Sequence, residues 1–230
     1  NMQIKSAVVL STLPLMSCIR TTESTVAKDV DINSSHAGNK PNIVFILADD
    51  LGYADLSCLG QTKFSTPNID RLSSQGMLFT QHYSGSSVSA PSRSCLITGL
   101  HTGHTVIRGN KELPVEGQHP IPDDTFTIFK MLKDNGYKTS VFGKWGLGAP
   151  CTEGAPENQC VDEFFGYNWQ RQAHNYYPYH LWHNNEKILL EGNAGKNESD
   201  YAPYIIHDKA LDFLIGSSAN SFGLLFSYIK

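Results

Sequence analysis

The run Ile43-Val44-Phe45-Ile46-Leu47-Ala48 contains no polar residue and ends on Asp49-Asp50. A strand washed by solvent on one face alternates polar and apolar side chains. An uninterrupted run with β-branched residues predicts a strand buried on both faces, the usual condition of a parallel sheet covered by helices. The pattern recurs downstream. Thr66-Pro67 opens a helix that closes at Gly76, and residues 77–83 read as the next strand. A further helix starts near Asp124-Thr125, with Phe126, Phe129 and Leu132 as its apolar face and Gly136 as its stop, followed by a strand over 137–142. Residues 208–215 then read as helix and 222–229 as strand. This order predicts an α/β fold with a largely parallel sheet sandwiched by helices.

In such sheets, ligand sites form at the carboxyl ends of the strands. Asp49 and Asp50 fall at one such end, and Lys144 follows the strand ending at Phe142. Between them lies Ser89-Ala90-Pro91-Ser92-Arg93, read as the opening of a helix with Ser89 at the N-cap, Pro91 in the first turn and Gly99 as the stop. Ser89 and Arg93 are then i and i+4 and face the same way, so a guanidinium and first-turn N–H groups surround whatever Ser89 holds. An anion there gains roughly 0.3–1 kcal/mol from the helix terminus, which suits attack on an anionic ester. An ordinary capped helix with a solvated arginine satisfies the same local pattern, and Asp49-Asp50 before Gly52 is equally a polar turn. If the two aspartates do hold an ion, hard carboxylates suit Ca2+ or Mg2+ over zinc.

A net charge of -4 with no Lys/Arg run argues against nucleic acid or an anionic membrane surface as the main partner. Small anionic substrates stay allowed, because local cations decide their binding. Residues 1–17 read as an export signal: Lys5 precedes an apolar stretch over 7–16, shorter than the roughly 20 residues a membrane span needs. Leu15-Met16-Ser17-Cys18 resembles a bacterial lipobox, with Cys18 as the lipidated residue and sole membrane anchor. This predicts a bacterial cell-envelope protein, periplasmic or outer-membrane lipoprotein. Residues 18–40 read as a flexible tether and 41–230 as the folded part. Cys151 and Cys160 either pair or remain free thiols, and Cys95 reads as a small apolar side chain inside its helix. His104 and Arg108, after the Ser89 helix, and His174, in the cluster His174-Asn175-Tyr176-Tyr177-Pro178 leading to Trp182, are candidates for substrate contact. Aromatic and imidazole groups suit sugars, and packing explains Tyr177 and Trp182 equally well.

Ser89, Pro91, Ser92, Arg93, Leu96, Thr98 and Gly99 fill every fixed position of the signature of the formylglycine-dependent sulfatases, whose alkaline phosphatase-like fold the chain would share. The strand ending at Asp49-Asp50 resembles that family's opening segment, and Gly143-Lys144-Trp145-Gly146-Leu147-Gly148 resembles its Gly-Lys-Trp-His-Leu-Gly segment. The resemblance implies that Ser89 is oxidised to formylglycine by a sulfatase-maturing enzyme before export. One hydroxyl of the hydrated aldehyde would then attack sulfur, and loss of the other's proton would expel sulfate. It implies one Ca2+ ion held by Asp49, Asp50 and residue 89, with Arg93 and Lys144 neutralising charge. Further ligands and catalytic groups would lie beyond Lys230, so the chain reads as the N-terminal portion of a longer enzyme. The substrate class implied is a small sulfated saccharide. One position departs from the pattern: the family's histidine, which contacts the sulfate or leaving-group side, is Gly146. The alternatives are a phosphate or phosphonate ester hydrolase on the same scaffold and a non-catalytic glycan-binding lipoprotein.

Overall fold

The computed structural model describes residues 7–10, 40–114, 116–217 and 221–228. Its strands are β1 (Ala7–Leu10), β2 (Ile43–Ala48), β3 (Lys138–Lys144), β4 (Glu163–Tyr167), β5 (His180–His183), β6 (Glu186–Leu189) and β7 (Phe222–Tyr228). Its α-helices are α1 (Pro67–Gln75), α2 (Ser89–Thr98), α3 (Ile128–Asp134) and α4 (Ala202–Gly216). Among the described residues the strands form one sheet in the order β1-β2-β7-β3-β4-β5-β6. The centre, β2-β7-β3-β4, is parallel, and β1, β5 and β6 join antiparallel at the two sides. The export-signal and tether readings otherwise fall outside the described residues, Cys18 included; Ala7–Leu10 pairs with β2.

Alternation along the central strands divides the core into two layers. Val141, Phe164 and Leu225 point to one face, where they pack with Ala90 and Ile97 of α2 and Phe129 of α3. Their neighbours Phe142, Phe165, Leu224 and Phe226 point to the other, against Ile206, Ala210 and Phe213 of α4. Each such side chain taken from water contributes about 1.5–3 kcal/mol, which drives the helices onto the sheet. Because α3 and α4 both pack on β3, the best-covered strands are β3 and β7. This corrects the expectation for β2: it is parallel to β7 but lies next to the sheet's side, beside β1, and Ile46 is 41% exposed.

Other boundaries also move. Residues 77–83 form no strand, and Met77 is 75% exposed: the short apolar stretch Met77-Leu78-Phe79 has no neighbour to complete a ladder. The helix predicted from Asp124 begins at Ile128, where the Thr127 side chain accepts the Lys130 N–H as its cap. Phe126 is left exposed ahead of it, while Phe129 and Leu132 are buried as expected. The helix predicted from 208 starts at Ala202 with a proline in its first turn. The strand expected to end at Phe142 runs on to Lys144.

That extension depends on Gly143. Its φ is 111°, it pairs with Gly166 of β4, and a β-carbon there would lie 2.9 Å from the Ser227 carbonyl carbon of β7. Only glycine permits both the dihedral and the approach, so the three strands stay close as they reach Lys144.

Candidate active site

The carboxyl ends of β2 and β3 and the first turns of α2 meet at one place. Asp49 is fixed by the continuing β2–β7 ladder, its N–H donating to the Tyr228 carbonyl at 2.9 Å. Arg93, one turn into α2, links all three elements. Its Nη2 donates to Asp49 Oδ2 at 3.2 Å, its Nη1 to the Lys144 carbonyl at 2.6 Å, and its Nε to Ser89 Oγ at 3.3 Å. Lys144 Nζ contacts the same Asp49 oxygen. Asp49, Arg93 and Lys144 are all buried. Burial pulls the Arg93 guanidinium below its ordinary value, and the Asp49 and Asp50 carboxylates oppose that pull.

Ser89 differs from its predicted role in one respect. It is the first residue of α2, not the cap; Val88 occupies the cap position with no capping side chain. The Ala90 N–H is instead taken by Asn110 Oδ1 at 2.9 Å. A loop residue therefore supplies what Ser89 was expected to supply, and the serine hydroxyl stands beside Arg93. The i, i+4 relation holds, but the first turn has one N–H fewer to offer an anion.

Asp50 lies on the exposed turn after β2 with φ of 59°. The oxygens present, two carboxylates and the Ser89 hydroxyl, are hard donors of the kind Ca2+ takes, and they could fill part of its shell of six to eight. Among the described residues no group of three or more His, Cys, Asp and Glu side chains gathers as a metal site. The set fits such an ion in kind, and the rest of a shell would have to come from water, substrate or other groups.

His104 is exposed, with its ring 6.4 Å from that of His101. Arg108 turns back on its own loop, donating to the Gly103 carbonyl at 2.8 Å. His174 is exposed at the end of a short 3-10 turn. Tyr177 packs 5.4 Å from Tyr201, and Trp182 is buried with its indole N–H donating to Glu116 at 2.6 Å. Packing thus accounts for both. Cys151 and Cys160 are unbonded thiols, and Cys95 is half-buried.

Gly146 is the point at which sequence reasoning fell short. Its φ is 74°, and a β-carbon there would run into the Gln170 carboxamide, 2.9 Å from its Cδ. Gln170 was not anticipated, because no local pattern ties it to a glycine so distant in sequence.

The chain is 44% identical over 146 residues to an N-acetylgalactosamine-6-O-sulfatase of Bacteroides thetaiotaomicron, a match covering 61% of this chain and 26% of that protein. It is 41% identical over 121 residues to human steryl-sulfatase, covering 51% and 21%. A solved Bacteroides thetaiotaomicron structure, described under the metabolism of multiple glycosaminoglycans, superposes with a TM-score of 0.70 at 28% identity, covering 83% of this chain and 51% of that one. The chain therefore spans about half the length of that structure and about a quarter of the curated relatives. Residues 41–230, from just before β2 onward, match the sulfatase family model, and the chain belongs to the sulfatase family.

Proposed function

We propose that this chain carries the nucleophile-bearing part of a sulfatase that hydrolyses sulfate esters of carbohydrates, with Ser89 as the precursor of a formylglycine. The observation that carries the reading is Arg93, which holds Ser89, Asp49 and the Lys144 carbonyl at once. A guanidinium pinned at three points cannot swing away, so its charge is already aligned when an anionic ester arrives. Lys144 supplies a second buried cation at the same carboxylate. Together they would bind the ester oxygens and offset the negative charge that grows as the ester bond breaks.

Formylglycine at residue 89 would supply, as its hydrate, one hydroxyl to take the sulfuryl group and a second to release it, which an unmodified serine lacks. Asp49 and Asp50 would hold a Ca2+ ion, whose Lewis acidity would favour the ionised hydroxyl. Two carboxylates against two cations leave the resting site close to neutral, so a divalent ion would make it cationic and suited to an anionic substrate. Asp49 also sets the Lys144 ammonium in place. The half-buried position of Ser89 beside Arg93 keeps the reacting atoms partly out of water, where such charges act most strongly.

The likeness to an N-acetylgalactosamine-6-O-sulfatase supports a sulfated amino sugar as substrate class. The apolar stretch before Cys18 supports a bacterial enzyme carried to the cell envelope and anchored there by lipid, with a serine-type maturing enzyme acting first. The test is sulfate release by the full-length protein, co-expressed with such a maturing enzyme, from sulfated hexosamines and from phosphate esters. Release from the sulfated sugars, abolished by Ser89→Ala, supports the reading. A higher kcat/KM on phosphate diesters replaces it with a phosphohydrolase, and glycan binding without turnover of any ester replaces it with a binding protein.

A further inference from the structure

β4 runs beside β3, with Tyr167 in register with Lys144, so the residues leaving β4 lie against those leaving β3. The Trp145 N–H donates to the Tyr167 carbonyl at 2.9 Å and continues this alignment past the strand ends. At the next step β3 continues into Gly146, and the volume where a side chain would stand is filled by the Gln170 carboxamide. Gly146 lies at most about 7 Å along the chain from Lys144, and the Gln170 carboxamide packs against Gly146.

Gln170 is 4% exposed, and among the described residues neither its Nε2 nor its Oε1 has a hydrogen-bond partner. Asn168, in the same turn, is 1% exposed and has both amide atoms in the same condition. A buried amide with nothing to bond costs about 1–3 kcal/mol, and a fold retains such groups where a ligand completes them. Glycine at 146 has two reasons to be there: its φ of 74° disfavours any β-carbon, and the space is already taken.

We propose that Gln170 binds the substrate, its neutral carboxamide hydrogen-bonding the sulfated sugar at the place vacated by Gly146. This deepens the sulfatase reading and rests on it. A carboxamide offers both a donor and an acceptor and carries no proton to give up, so it orients the ester and its adjoining hydroxyls without acting as an acid. The bound sugar supplies the partners that the amide lacks in the resting protein.

The experiment compares Gln170→Leu and Gln170→Glu with the wild type in the matured full-length enzyme, reading kcat/KM for a sulfated hexosamine and Tm. The same sugar's Kd is measured on Ser89→Ala with and without Gln170→Leu. Gln170→Leu should lower kcat/KM about 10- to 100-fold and weaken binding to Ser89→Ala, while Tm does not fall, because no internal hydrogen bond is lost. Gln170→Glu should lose more at neutral pH, where a carboxylate repels the ester, and regain activity as the pH falls and it protonates. A purely structural glutamine would instead lower Tm in both variants and leave the sugar's Kd on Ser89→Ala unchanged. Wild-type kcat/KM and Kd in the leucine variants overturn the proposal and leave the sulfatase reading intact. A wild type that releases no sulfate overturns both.

Discussion

Asp49 and Glu116 are both carboxylates withdrawn from water and gripped by cationic side chains, yet they sit in opposite parts of the sheet and serve different ends. Asp49 stands where parallel strands finish. Its partners Arg93 and Lys144 come from a helix and a neighbouring strand, and all three are buried. Glu116 comes from a loop and takes hydrogen bonds from His180 at 2.8 Å, Trp182 at 2.6 Å and Lys187 at 3.3 Å, all on the β5–β6 hairpin. There Lys187 is 44% exposed. Parallel strands deliver their carboxyl ends to one side, so groups distant in sequence converge on a shared point. A hairpin returns on itself, and a carboxylate laid across it acts as a staple between loop and sheet. Charge burial alone does not mark a site; burial where several parallel strands end does.

The largest effect should follow removal of Asp49. Asp49→Ala removes the carboxylate shared by buried Arg93 and Lys144, and stability to denaturant should fall by about 3–5 kcal/mol. A loss below about 1 kcal/mol would erase the contrast with the hairpin staple, since that is what an exposed pair contributes.

Glu116→Gln should cost less, about 1–2 kcal/mol near neutral pH, by weakening charge-assisted hydrogen bonds. Its pH dependence sharpens the comparison. Burial alone would raise the Glu116 carboxyl, but hydrogen bonds from His180 and Trp182 and the charges of His180 and Lys187 hold it at about 2, against an ordinary 4.5. A carboxyl held down in the folded state stabilises fully above its unfolded value and loses that stabilisation as the pH falls through the folded one. The Tm gap between wild type and Glu116→Gln should therefore be constant above about pH 5 and close towards pH 2. A gap unchanged down to pH 2 would mean that the staple holds by shape alone.

The smallest effect should come from Arg171→Ala, which breaks an exposed pair with Glu112 in which Arg171 is 69% exposed. Less than about 1 kcal/mol should be lost, and added salt should shrink even that. A larger loss would show that the loop is held at Glu112 as firmly as at Glu116.

The same contrast separates what could be read in the sequence from what could not. Asp49, Arg93 and Lys144 were legible because their positions follow from local rules: a strand that ends, a helix repeat of i and i+4, a second strand that ends. The antiparallel side was not read. Phe164-Phe165-Gly166-Tyr167 is interrupted by a glycine whose reason is the close approach of β3. The hairpin signal did exist, since Asn184-Asn185 joins β5 to β6 with Asn184 at φ of 51°. Residues 77–83 misled because hydrophobicity gives a strand nothing to pair with. Ser89 as a cap was a sound local expectation, displaced by Asn110 from the following loop. Gln170 carried no local signal, because its meaning depends on the missing side chain of Gly146.

The central claim is that residue 89 acts after oxidation, held by Arg93 at the Asp49 end of the sheet. It is tested most directly by intact-peptide mass spectrometry across residue 89, performed on the same full-length preparations whose sulfate release is measured. The account predicts a peptide lighter by about 2 Da, the two hydrogens lost when the serine alcohol becomes an aldehyde, in a fraction that rises in step with turnover. Full turnover by protein whose Ser89 is wholly unmodified would contradict it.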